Sequence, residues 1–191
     1  MSIFSVENDS TGNQVSSLAE KILYVMRAYA TDYELIYGTP LNLTRPHNEM
    51  MMVKENFGQT RGKGFHHYVL SPEDSDVCSP ERLYAVGWKV AEAIRHFDGY
   101  FQVLMAVHRD SSHVHAHYIV NNIDYTDGHR LVLDIRRLVS LKQRISEILV
   151  QEGLSPIRMN SFGENNRIES AINIINNSDT NQMIERECDV Q

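Results

Sequence analysis

The histidines of this chain are concentrated in one short segment that could bind a metal ion. Four of the nine histidines and one aspartate lie within ten residues, as His108, Asp110, His113, His115 and His117. The apolar residues that follow are typical of a β-strand, in which alternate side chains point to the same face. His113, His115 and His117 are therefore predicted to project together, and His115 and His117 could hold one ion between them.

A second strand is expected to bring a further imidazole to this site. Residues 101–107 form an apolar run that ends at His108, and a short turn through Asp110 separates it from the next histidines. This spacing predicts an antiparallel pair of strands. Imidazole nitrogens suit Zn²⁺ and other transition metals, and a three-histidine site with open positions can bind a substrate oxygen.

Such a site could act on a phosphodiester. A bound ion would polarise a non-bridging oxygen of the phosphate. Asp110 lies between the histidines, where it could orient an imidazole or accept a proton. The nucleophile is either a metal-bound water or a side-chain hydroxyl, and a tyrosine would form a covalent phosphotyrosine.

Length and composition predict one globular domain with an appendage. The chain has 191 residues, of which 42% are hydrophobic, and only two cysteines, so a disulfide framework is not expected. Residues 1–158 are expected to form the domain, and the Asn- and Ser-rich residues 159–191 a partly helical or disordered segment. No apolar run reaches membrane length and no signal peptide is evident, which predicts a cytoplasmic protein without membrane insertion.

The charge distribution is compatible with a nucleic-acid partner. The net charge is −7, and residues 164–191 carry four of these charges, so the body is only weakly acidic. Arg61 and Lys63 lie in a loop between Gly58 and Gly64. A cluster of cations can equally be a solvated face, so the charge pattern permits DNA binding without requiring it.

Strand and helix patterns alternate irregularly, which predicts an α+β fold with a central antiparallel β-sheet flanked by helices. On the first helix Tyr29 shares the apolar stripe and is expected to pack inward, whereas Tyr24 lies on another side with its hydroxyl free. Ser79 is expected to cap the third helix. The predicted helices span residues 17–31, 45–57, 80–96 and 135–153, and the predicted strands span 1–6, 65–71, 101–108, 113–121 and 130–134.

Three segments together resemble a known family. The histidine motif, followed by apolar residues and Asn121, resembles the third signature motif of relaxases, the mobilisation nucleases of the tyrosine HUH endonuclease class. The run from Leu35 through residues 53–58 to Ser71 resembles the approach to their second motif, which carries a serine. Tyr24 falls where the family has its nucleophilic tyrosine. The resemblance covers roughly residues 15 to 155 and implies an HUH-like fold.

The resemblance implies roles for the residues of the motifs. Tyr24 would attack a phosphate of origin DNA, and Asp110 would activate the tyrosine or orient His108. Mg²⁺ or Mn²⁺ would be bound by three histidines, with Zn²⁺ or another transition metal as an alternative. The metal ligands would be His108, His115 and His117.

Other residues would assist. His113 is expected to be auxiliary, and Ser71 to hold DNA near the scissile phosphate. His67, Arg61 and Lys63 are further candidates for DNA contact.

The implied activity is a strand-specific nick at an origin of transfer through a 5′-phosphotyrosyl intermediate, which initiates conjugative mobilisation. The implied partners are single-stranded origin DNA, accessory mobilisation proteins and a coupling protein. The chain departs from the family where Pro and Lys commonly follow the tyrosine helix, since it reads Arg27, Ala28, Tyr29 there, so Tyr29 is a second candidate nucleophile. The alternatives are an HUH-type replication initiator, a metal-dependent phosphodiesterase and a non-catalytic, metal-stabilised DNA-binding module.

Overall fold

The structure is a computed structural model that describes residues 1–7, 15–76, 78–111 and 113–159, with the backbone alone at 15–17. The C-terminal segment proposed for residues 159–191 lies outside these residues apart from its first position. No helix in the described part of the chain is long and apolar enough to cross a membrane.

Five antiparallel strands form one sheet, in the order β1-β3-β5-β4-β2. The predicted α+β class is confirmed. The strands are β1 (Ile3–Val6), β2 (Ile36–Thr39), β3 (Phe65–Ser71), β4 (Val103–His108) and β5 (His115–Asn121). The helices are α1 (Val15–Val25), α2 (Pro46–Asn56), α3 (Pro80–Arg95) and α4 (Ile135–Gln151).

Helices cover both faces of the sheet. The larger apolar cluster joins α3 and α4 to alternate residues of the central strands, such as Tyr68, Met105 and Tyr118. The smaller cluster joins α1 and α2 to the opposite face, through residues such as Leu104 and Ile119. Because β4 is buried on both faces, it reads as a nearly continuous apolar run up to His108, and the buried part of β5 from Tyr118 to Val120 is apolar in the same way. The histidines at one end of these strands lie on the face that carries α1.

Side-chain caps begin two helices. The Ser79 hydroxyl accepts a hydrogen bond from the Arg82 backbone N–H at 3.2 Å, as the sequence predicts for α3. The Asp134 carboxylate accepts one from the Arg137 N–H at 2.9 Å at the start of α4. Asp134 therefore belongs to a cap, and the strand predicted over residues 130–134 is wrong. An isolated bridge between Ile123 and Arg130 stands in its place.

Helix α1 ends earlier than its sequence predicts. It stops at Val25, and Tyr29, which lies beyond it in a turn, is 78% exposed rather than packed inward. The carbonyls of Tyr24 and Val25 do not accept the next backbone N–H groups of a helix. They accept hydrogen bonds from the side chains of Arg27 and His108 instead.

Candidate active site

Three histidines converge where β4 ends and β5 begins. His108 and His115 are cross-strand partners, and His117 lies two residues further along β5. One ring nitrogen from each lies within 4.8 Å of the other two. The antiparallel pair predicted from the sequence is therefore confirmed, and it brings together the three predicted metal ligands.

Hydrogen bonds hold the outward nitrogens of His108 and His115. His108 Nε2–H donates to the Val25 carbonyl at 2.8 Å, and His115 Nδ1–H donates to the His113 carbonyl at 3.0 Å. A nitrogen that donates in this way leaves the lone pair on the other ring nitrogen. His108 Nδ1 is buried without a hydrogen-bond partner among the described residues. This is the arrangement that a metal ligand requires.

His117 is held by another histidine. Its Nδ1 lies 2.9 Å from Nε2 of His67, while its own Nε2 is buried without a hydrogen-bond partner in the described part of the chain. Burial, reinforced by the neighbouring imidazoles, lowers the pKa of His117 to about 2, and burial also lowers the pKa of His108. Both rings are therefore neutral near pH 7, in the protonation state that binds metal. Their unpartnered nitrogens and the three-imidazole donor set fit a divalent ion.

His67 occupies a place that the sequence did not suggest. Only 4% of it is exposed, and its ring stacks on His117 at 5.1 Å between centroids. From the sequence, His67 was a candidate for contact with DNA. A ring so enclosed leaves almost no surface for that contact. Its contact is instead with His117, one of the predicted metal ligands.

Tyr24 lies over the histidine cluster. It is on the last turn of α1 and 43% exposed, and its ring centroid is 5.5 Å from that of His117 and 5.8 Å from that of His108. In the described part of the chain, no ring contact joins Tyr29 to these histidines. The geometry therefore brings Tyr24, and not Tyr29, to the cluster.

Asp110 is paired with a residue that the sequence did not single out. Its Oδ2 accepts a hydrogen bond from Arg27 Nη2 at 2.6 Å, whereas its Oδ1 is 4.0 Å from His108 Nδ1, beyond hydrogen-bond distance. The hydrogen bond and charge of Arg27 hold the pKa of Asp110 below its usual range. The Val25 carbonyl, rather than Asp110, orients His108.

His113 and Ser71, two further residues singled out from the sequence, differ in their position relative to the histidine cluster. His113 precedes β5 and its side chain is 59% exposed, with Nδ1 2.8 Å from the Asp74 carboxylate. It does not project with His115 and His117, because the alternation of a strand begins only at His115. Ser71 ends β3 on the same face as the cluster, one pair beyond Leu70 and Ala116 and therefore level with His115.

The basic loop lies at the other end of the sheet. Arg61 and Lys63 are exposed just before β3, whose first residue, Phe65, pairs with Asn121 at the far end of β5. The buried Lys54 ties this loop to β5. Its ammonium donates to the Asn121 side chain at 2.5 Å and to the Gly64 carbonyl, and burial lowers its pKa to about 7.

A second group of possible ligands, Asp124, Asp127 and His129, lies in the turn after β5. The Asp124 carboxylate accepts backbone N–H groups from Tyr100 and Thr126, each at 2.6 Å. Asp124 therefore has a structural role, in which its carboxylate stabilises the turn through these backbone hydrogen bonds.

Residues 24–154 match the family model described as "Relaxase: MobA/VirD2-like, nuclease domain". This match covers well over half of the chain and includes Tyr24 and the histidine cluster. The chain belongs to this family. The predicted resemblance to relaxases and the predicted nuclease class are thereby confirmed at the level of the family.

Two relatives show how far the likeness of this relaxase domain extends. It is 31% identical to Protein rlx of Staphylococcus aureus over 102 residues, which are 53% of this chain and 30% of that protein. The matched part thus spans under a third of that curated relative. The fold matches all of a chain in a solved structure described as "Molecular Basis of Vancomycin Resistance Transfer in Staphylococcus aureus", with a TM-score of 0.56, 11% identity and 85% of this chain covered.

Proposed function

We propose that this relaxase domain nicks one DNA strand at an origin of transfer and so initiates conjugative mobilisation. Tyr24 is the nucleophile, and His108, His115 and His117 hold a divalent metal ion. The observation that carries the proposal is the position of the Tyr24 ring beside the rings of His108 and His117, in a cluster where one ring nitrogen from each of three histidines lies within 4.8 Å of the other two. Membership of the relaxase family supports the same assignment.

The donor set favours particular ions. Imidazoles suit transition metals better than Mg²⁺, so Mn²⁺ fits this site better than Mg²⁺ does, and Zn²⁺ fits as well. When bound, the ion supplies positive charge that polarises a non-bridging oxygen of the scissile phosphate.

The protein's own groups carry out the exchange of bonds. The Tyr24 oxygen attacks phosphorus, the bond from phosphorus to the 3′ oxygen breaks, and the proton of the tyrosine ends on that 3′ oxygen, which leaves as a hydroxyl. One phosphoester bond replaces another, so the step is reversible without ATP. His67 fixes the ring of His117, and the Val25 carbonyl fixes that of His108.

Single-stranded origin DNA is the proposed substrate. Ser71 lies level with His115 at the end of β3, and from this position it would contact the DNA near the scissile phosphate. Arg61 and Lys63 would contact the DNA backbone elsewhere. Accessory mobilisation proteins and a coupling protein are the proposed partners in transfer.

The test is formation of a covalent adduct. The protein is mixed with Mn²⁺ and a supercoiled plasmid that carries the DNA flanking its gene, and the products are separated in detergent. We expect protein-linked, nicked DNA from the wild type and from Tyr29→Phe, and none from Tyr24→Phe or His115→Ala. Nicks without an adduct would instead indicate a water nucleophile and a phosphodiesterase. An adduct that persists in Tyr24→Phe and is lost in Tyr29→Phe would identify Tyr29 as the nucleophile.

A further inference from the structure

We infer that Arg27 is a positioning residue that holds Tyr24 in place for attack, with Asp110 as its anchor. The inference rests on the proposed function, because it concerns the step that Tyr24 performs. Arg27 lies three residues after Tyr24, just beyond the end of α1, and none of the motifs in the sequence includes it.

Arg27 contacts both the ring and the backbone of Tyr24. The guanidinium carbon lies 3.8 Å from the centroid of the Tyr24 ring, within the range of a cation–π contact. Nη1 donates a hydrogen bond to the Tyr24 carbonyl at 2.8 Å. One planar group therefore restricts the rotation of the ring and also occupies a carbonyl at the end of α1.

Asp110 fixes the guanidinium from the other side. Its carboxylate accepts from Nη2 at 2.6 Å, and the two side chains are only 14% and 22% exposed. An ion pair so enclosed is screened less by solvent and salt than one on the surface. Since Asp110 lies two residues after His108, this pair connects the tyrosine to the end of β4 that carries a metal ligand.

Arg109, which precedes Asp110 in the turn after β4, provides a contrast with Arg27. Its guanidinium pairs with Asp32 at 2.7 Å, and its side chain is 49% exposed. In the described part of the chain, Arg109 makes no contact with the Tyr24 ring. Either arginine could attract DNA by its charge alone. Only Arg27 stacks on the Tyr24 ring and also donates hydrogen bonds to both the Tyr24 carbonyl and Asp110, among the described residues.

The geometry of Arg27 predicts which kinetic step it affects. A nucleophile that is free to rotate spends less time aligned with the phosphorus, so the rate at saturating DNA falls while DNA affinity changes little. Lysine keeps the charge but can neither stack as a plane nor fork between two acceptors, so it should replace arginine poorly.

The experiment compares single-turnover rates of adduct formation at saturating Mn²⁺ and saturating plasmid, and measures DNA affinity separately. We expect Arg27→Ala to lower the rate roughly 10- to 100-fold, Arg27→Lys to recover only a small part, and Arg109→Ala to match the wild type. Added guanidinium ion should partly restore Arg27→Ala, which a loss of folding would not allow. A wild-type rate in Arg27→Lys, or a loss confined to DNA affinity, would overturn the inference.

The double variant Arg27→Ala with Asp110→Asn separates an anchor from a proton acceptor. If Asp110 acts through Arg27, the double variant is no slower than Arg27→Ala alone. A further loss equal to that of Asp110→Asn by itself would show that the two residues act independently, and the anchoring role would be rejected.

One readout does not depend on nicking. Nitration of Tyr24 by tetranitromethane, followed by mass spectrometry without DNA or metal, reports how freely the ring is presented. We expect faster nitration in Arg27→Ala and an unchanged rate in Arg109→Ala. If the wild type forms no adduct, the proposed function fails, but the nitration rates still decide whether Arg27 restrains the Tyr24 ring. Equal nitration rates in the wild type and both variants would show that Arg27 does not restrain it.

Discussion

Two adjacent histidines of β3 face opposite sides of the sheet, and each has a different partner. His67 meets the metal-ligand candidate His117 at 2.9 Å, whereas Nε2 of His66 lies 3.2 Å from the Leu131 carbonyl on the other face. The alternation of a strand accounts for this division. Both rings are buried, so burial alone does not distinguish the ring that supports the metal site.

At the residue scale, His67→Ala should weaken Mn²⁺ binding about 10- to 100-fold, because groups that orient a metal ligand commonly contribute that much. The measurement is titration of the protein with Mn²⁺, followed by calorimetry or electron paramagnetic resonance. His66→Ala removes a neighbouring buried imidazole and is the matched control, for which we expect near-wild-type affinity. Equal losses in both variants would indicate a general effect on folding rather than support of His117.

At the scale of elements, the end of α2 is packed against the turn that follows β5. Gly128 in that turn has φ of 79°, and a Cβ at this position would lie 2.8 Å from the Phe57 Cβ and closer still to the ring. Gly58, just after α2, has a similar φ of 64°, but a Cβ there would meet nothing within 4 Å. The two glycines therefore share a backbone requirement and differ in their surroundings.

Alanine at these glycines should separate the two effects. Gly58→Ala should lower the free energy of unfolding by about 1 kcal/mol, the usual cost of a left-handed conformation in a residue with a side chain. Gly128→Ala should lower it by about 1–3 kcal/mol more, because Phe57 must move. Urea denaturation of both variants measures the difference. Equal losses would mean that Phe57 yields without cost.

At the scale of the whole molecule, the metal site and the basic loop lie at opposite ends of the sheet. β5 has seven residues, from His115 at the cluster to Asn121 near the loop, and a strand of that length spans about 20 Å. Arg61 and Lys63 therefore lie too far along the sheet to contact a phosphate bound at the histidine cluster. We propose that they contact the DNA backbone at a distance from it.

Removing these two cations should affect binding and leave the chemistry intact. In the double variant Arg61→Ala with Lys63→Ala, DNA affinity should fall and the slope of log affinity against log salt should decrease by roughly one to two. The adduct rate at saturating DNA should match the wild type. Arg136→Ala with Arg144→Ala removes the same charge from exposed positions of α4 and is the control. A reduced adduct rate of the Arg61→Ala with Lys63→Ala variant at saturating DNA would contradict the proposal that the basic loop acts only in binding.

The predictions from sequence succeeded where the deciding interactions are local. Apolar periodicity, the Ser79 cap and the short turn between His108 and His115 each involve residues close in the chain, so the four helices and the histidine pair of strands could be predicted. The edge strand β2 was not predicted, and the strand predicted over residues 130–134 was wrong. The end of α1 could not be predicted, because Met26, Arg27 and Ala28 suit a helix. One of the two side chains that occupy its last carbonyls, His108, is 83 positions away from Val25 in the chain.

Tertiary structure alone decided the partners of the site residues. Arg27 and Asp110 are 83 positions apart, and His67 and His117 are 50 apart. Their contacts exist because β5 lies between β3 and β4 and because α1 packs over the ends of these strands. No periodicity in the sequence encodes that order, since it follows from which apolar faces pack together. The residue types thus determined which chemistry is available, and the packing of the sheet determined which groups orient it.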